Sequence, residues 1–152
     1  MTGNLRYVSH SESLPGWQHD INDDHVCADD DAGIYVISDG VGKLSGAGEA
    51  SRLVIEAAVT VLRGERPADA EARRRWLGST LDTVNRRLQH HARTIPNLKQ
   101  ARTTLTLLRL HGGALDGLHV GDCRLYHRRD GELKQLTTDH TRAWEAYKNG
   151  RI

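Results

Sequence analysis

With 152 residues, 38% hydrophobic and 27% charged, the chain is long enough to bury a core and fits one domain, 1–152. A formal net charge of +1, no apolar run near the roughly 18 residues of a membrane span, and no basic or apolar leader at Met1-Thr2-Gly3-Asn4 lead to the expectation of a soluble, cytoplasmic protein. Cys27 and Cys123 are too far apart for a disulfide framework or a zinc spacing, and none of the histidines forms His-Glu-x-x-His.

Residues 4–10, 25–29 and 33–38 read as strands, with Asp29-Asp30-Asp31-Ala32-Gly33 turning between the latter two. From Gly46 the period lengthens. Ala50, Leu53, Val54, Ala57, Ala58, Val61 and Leu62 recur at three and four residues, predicting an amphipathic helix that ends near Gly64. A second helix is expected from about Asp69 to Arg93, with Leu77, Leu81, Val84 and Leu88 on its apolar face, and Ile95-Pro96-Asn97 ends it. Three β-type runs follow, Thr103 to Leu110, Leu115 to Val120 and Cys123 to Arg128, then a turn at Asp130-Gly131 into Leu133 to Leu136. A last helix is expected over Arg142 to Asn149. Strands, two helices, strands and a helix in that order predict an α+β fold with helices layered on antiparallel sheet.

Charge is distributed unevenly. Residues 1–50 hold nine acids against only Arg6 and Lys43, whereas 63–102 are arginine-rich, with Arg73-Arg74-Arg75 and Arg86-Arg87. The basic stretch reads as the solvated face of the second helix. Without interleaved aromatics it makes a poor nucleic-acid surface.

Two acidic clusters flank the apolar run Ile34-Tyr35-Val36-Ile37: Asn22-Asp23-Asp24 before it, and Ser38-Asp39-Gly40-Val41-Gly42 after it. Asp39 at a strand end, with glycines that let the backbone approach closely, supplies the carboxylate and carbonyl oxygens that Mg²⁺ or Mn²⁺ prefers. The same residues also read as an N-cap and a solvated acidic turn. Gly40-Val41-Gly42-Lys43-Leu44-Ser45-Gly46 is not a P-loop, because Leu44 stands where a magnesium-binding hydroxyl is required. It also misses the dinucleotide spacing, and Ser45 lacks the flanks of a nucleophile elbow.

Together, Asn22-Asp23-Asp24, Tyr35 to Gly42, Thr103-Thr104-Leu105, Val120-Gly121-Asp122-Cys123-Arg124-Leu125-Tyr126, Arg129 to Leu133 and Leu136 to Thr141 resemble the metal-dependent serine/threonine protein phosphatases of the 2C type, in their bacterial branch. The resemblance implies an α-β-β-α sandwich of two antiparallel sheets with a binuclear Mg²⁺ or Mn²⁺ centre at one edge. It implies hydrolysis of phosphoserine and phosphothreonine in a phosphorylated protein by a metal-activated water, or, as the alternative, a non-catalytic module that binds a phosphoprotein or a divalent metal. By position, Asp39 matches the metal-bridging aspartate and the Gly40 carbonyl a backbone ligand. Asp23 stands where the family usually has glutamate, with Asp24 beside it, and Asp122 matches an aspartate associated with a further metal.

His19 takes the position of the phosphate-clamping arginine, and Lys43 and Leu44 replace a usual glycine and histidine. The family continues past Ile152 into strands that carry two more metal-binding aspartates. The expectation is therefore a C-terminally incomplete domain that dimerises or recruits a complementing polypeptide.

Overall fold

The computed structural model describes residues 5–17, 21–41 and 46–151. Two short strands, β1 (His25–Asp29) and β2 (Ile34–Ser38), form the first hairpin, and β3 (Gly40–Val41) follows directly. Helices α1 (Ala47–Leu62) and α2 (Ala70–Thr94) come next, then a single 3₁₀ turn, Pro96–Leu98. The chain returns through β4 (Arg102–Thr103), β5 (Leu105–His111) and β6 (Ala114–Val120). It ends in the hairpin β7 (Tyr126–Arg129) and β8 (Glu132–Gln135) and helix α3 (Arg142–Lys148).

The main sheet is antiparallel with strand order β1-β2-β5-β6, while β3-β4 and β7-β8 form two-stranded ribbons. Side chains alternate across a strand, so each face of the sheet has its own residue set. Ile34, Val36, Leu105 and Leu107 turn toward the helices and join Val54, Ile55, Ala57, Ala58, Leu62 and Val84 in the core. This explains the periodicity of α1: its small residues Ala50, Ala57 and Ala58 let the helix lie close against the sheet. Helix α2 is capped by the Asp69 carboxylate, which accepts from the Ala72 N–H, and packs on α1 mainly through Thr80, Val84 and partly buried leucines. A nearly buried ion cluster, in which Arg66 and Arg73 both bond the Asp116 carboxylate, ties the start of α2 to β6.

The α+β class and the order of elements agree with expectation. Three strand assignments do not. Residues 5–10 are irregular: the Ser9 N–H donates to the Asp30 side chain at 3.0 Å rather than to a neighbouring strand, while Leu5 and Val8 stay exposed. Thr104 interrupts the run from Thr103 to Leu110, since its side chain takes over a backbone partner's role. Cys123 to Leu125 are not a strand either. The Cys123 carbonyl accepts from the Thr106 hydroxyl and the Leu125 N–H donates to the Thr137 hydroxyl, so side chains replace ladder bonds there. The face of the sheet away from the helices leaves Val26, Ile37 and Leu115 exposed.

Candidate metal centre

The site grows out of the register of the sheet. β1 pairs with β2 from His25↔Ser38 to Asp29↔Ile34. Continued by one residue, that register sets Asp24 opposite Asp39, and by two it sets Asp23 opposite Gly40. The Gly40 N–H donates to the Asp23 carbonyl at 3.3 Å, so the pairing does continue. On the other side, β2 pairs with β5 up to Ile37↔Thr106, and β3 pairs with β4 as Gly40↔Thr103 and Val41↔Arg102, which is the same register. Asp39 therefore lies opposite Thr104 at the junction of two ladders that keep one register.

Its neighbours at the β4–β5 junction hold its backbone fast. The Thr104 N–H donates to the Asp39 carbonyl at 2.9 Å, the Thr103 hydroxyl donates to the same carbonyl at 2.8 Å, and the Asp39 N–H donates to the Thr104 hydroxyl at 2.9 Å. Ser38, buried on the helix side, donates to the Thr104 carbonyl at 2.6 Å. Neither threonine was assigned a role from the sequence, although two adjacent hydroxyls opposite a strand-end aspartate are a readable signal.

Alternation places Asp24 and Asp39 together on the face away from the helices and Asp23 on the helix side. Contacts agree. The Asp23 Oδ1 lies so near α1 that a Cβ on Gly48 would stand 2.8 Å from it, and the Asp23 carbonyl accepts from the buried Ser51 hydroxyl at 2.5 Å. Gly40 is required for a similar reason: a Cβ there would meet the Ala47 carbonyl oxygen at 2.5 Å and the Asp23 carbonyl oxygen at 2.8 Å. In an antiparallel strand the N–H and C=O of one residue point the same way, so the Gly40 carbonyl is directed toward the Asp23 edge.

Partial burial, a hydrogen bond with Asp24, and the charges of Asp24, Asp122 and Asp23 push the Asp39 carboxyl up to about 6. Asp122, exposed just after β6, contributes charge to this cluster. Burial is also the main cause that pushes the Cys123 thiol up, with the Thr104 hydroxyl 3.1 Å away.

Hard carboxylate and carbonyl oxygens suit Mg²⁺ or Mn²⁺, and the proton that the raised Asp39 carboxyl holds is what a divalent cation would displace. Among the described residues, no three His, Cys, Asp or Glu side chains are disposed to hold a metal together. The donor set thus fits an ion held by two carboxylates, a carbonyl and water. His19, expected at a phosphate position, lies outside the described residues. No helix among the described residues is long and apolar enough to cross a membrane.

A sequence model described as protein phosphatase 2C matches residues 18–149. The serine/threonine protein phosphatase PstP of Mycobacterium tuberculosis is 33% identical over 148 residues, 97% of this chain and 27% of that protein. The serine/threonine phosphatase stp of Listeria monocytogenes is 27% identical over 124 residues, 81% of this chain and 49% of that protein. A crystal structure of the M. tuberculosis serine/threonine phosphatase PstP/Ppp superposes with a TM-score of 0.81 at 33% identity, covering 93% of this chain and 58% of that one. The catalytic domain of PstP in complex with two manganese ions gives 0.79, with 59% of that chain covered. The chain thus spans little more than half the length of these solved phosphatase structures.

Proposed function

The chain belongs to the protein phosphatase 2C family, and from that premise we propose that it takes part in metal-dependent hydrolysis of phosphoserine and phosphothreonine in proteins. The observation that carries this reading is the pair Asp24 and Asp39, crowded onto one sheet face with a carboxyl pushed up to about 6. Such crowding costs stability at neutral pH unless a cation offsets it.

In this reading Asp39 and Asp24 provide the principal carboxylate ligands and the Gly40 carbonyl a third oxygen, with Asp23 acting from the helix side and Asp122 from the loop after β6. Mg²⁺ or Mn²⁺ bound there would acidify a water and neutralise phosphoryl charge. Thr103 and Thr104 hold the Asp39 backbone, so the carboxylate is presented from a rigid ladder rather than a loop. Cys123 is not a nucleophile in this scheme, because a thiol whose pKa is raised by burial stays protonated at neutral pH. Phosphorylated protein segments are the substrates, and the cytoplasm is the proposed setting.

A second reading rests on one specific observation: among the described residues the carboxylates do not converge as a set of three. It makes the chain a phosphatase-like module that binds a metal or phosphoprotein without turnover. Mn²⁺-dependent release of phosphate from a phosphothreonine peptide separates the two. Turnover that chelation abolishes and Mn²⁺ restores supports hydrolysis; Mn²⁺ binding with no turnover favours the binding module.

A further inference from the structure

A cluster of carboxylates repels the very anion that a phosphohydrolase must seat, and a cationic side chain on the same face as Asp39 would add its attraction to that of a bound cation. The ladder supplies such a side chain. Because β3-β4 keeps the register of β2-β5, Arg102 stands opposite Val41, and both lie on the face that carries Asp39 and Thr104. Arg102 is two residues from Thr104, about 6.6 Å along the strand, a span that an extended arginine side chain covers.

Three further facts single it out. Its strand is pinned to the Asp39 backbone through Thr103 and Thr104, so its Cα is fixed relative to the carboxylates. It is exposed, and among the described residues no carboxylate pairs with it. The other arginine close to the cluster in sequence, Arg124, is already engaged by the Asp139 carboxylate through two nitrogens, at 2.6 to 3.1 Å.

We propose that Arg102 is a substrate-binding residue that holds the non-bridging oxygens of a phosphate monoester seated over Asp24 and Asp39. This inference rests on the phosphohydrolase reading of the site. Guanidinium suits the role because its planar fork meets two phosphoryl oxygens at once.

The test measures two quantities for the whole chain with Mn²⁺ present: KM and kcat on a phosphothreonine peptide, and calorimetric affinity for inorganic phosphate, the product. Arg102→Ala should weaken phosphate binding and raise KM by roughly tenfold or more, and Arg102→Lys should recover part of that, since charge returns without the fork. Mn²⁺ affinity and the melting temperature should stay near wild type, because Arg102 supports neither the core nor the carboxylates.

Unchanged phosphate affinity in Arg102→Ala, with wild-type turnover intact, overturns the role of Arg102 while leaving the phosphatase reading standing. Arg102-dependent phosphate binding without turnover supports the role and removes the reading. Wild-type protein that binds no phosphate overturns this inference outright.

Discussion

Asp24 and Asp39 face one another across two adjacent antiparallel chains, and partial burial together with the neighbouring Asp24 pushes the Asp39 carboxyl up to about 6. Among the described residues, Asp23 and Asp122 add their charge near this point, while Asp24 and Asp39 share a sheet face. Asp39 therefore holds its proton more tightly than a carboxyl in water.

The pH dependence of stability follows in sign. An acid whose folded pKa, about 6, lies above its ordinary value of 3.8 stabilises the fold below the lower value and loses that contribution as pH rises through the upper one. In the presence of chelator, the melting temperature should fall between about pH 4 and pH 6, and Asp39→Asn should flatten that decline. Parallel pH curves for the two proteins would contradict the assignment.

Metal should reverse the trend, since binding requires the Asp39 proton to leave. Mn²⁺ affinity is expected to rise as pH increases through about 6 and to drop in Asp39→Asn and Asp24→Asn alike, with Asp122→Asn milder. Titration calorimetry at two pH values reads this directly, proton release included. An Asp24→Asn protein that binds Mn²⁺ as wild type does would remove Asp24 from the ligand set.

Thr104 is 4% exposed, and its hydroxyl is the acceptor for the Asp39 N–H. Thr104→Val keeps the volume and deletes the acceptor, leaving a donor unsatisfied at a cost of about 1–3 kcal/mol. Chemical denaturation should show that loss, together with weaker Mn²⁺ binding because Asp39 is no longer held in place.

Gly40→Ala is predicted to be destabilising by about 1–3 kcal/mol, an overpacking penalty, since its methyl group meets backbone oxygens of Ala47 and Asp23 that cannot swing aside. Gly48→Ala meets only a carboxylate oxygen, which can rotate away. It should therefore disturb the Asp23 side chain with little change in melting temperature.

Asp116→Ala should cost about 2–3 kcal/mol, because Arg66 and Arg73 both bond this carboxylate in a site where its side chain is only 10% exposed. The loss should appear as a lower melting temperature with Mn²⁺ affinity intact, for the cluster joins α2 to β6 away from Asp39.

Local chemistry was enough to read α1, α2, the first hairpin and the strand-end position of Asp39 from the sequence. Helical spacing of Ala50 to Leu62, the Asp69 cap and the apolar run before Asp39 are all set by neighbours a few residues apart. The irregular course of residues 5–10 and the break at Cys123 to Leu125 were not legible. Those segments have strand-like residues, but side chains from Asp30, Thr106 and Thr137 capture the hydrogen bonds that a ladder would use. Asp23 and Asp24 differ by one position and nothing else, and no local rule says which of them meets Asp39. Strand register decides it, since a shift of one residue sends every side chain to the opposite face. The same long-range pairing, through Thr104, carries Arg102 to the face of Asp39 from a point 63 residues further along the chain.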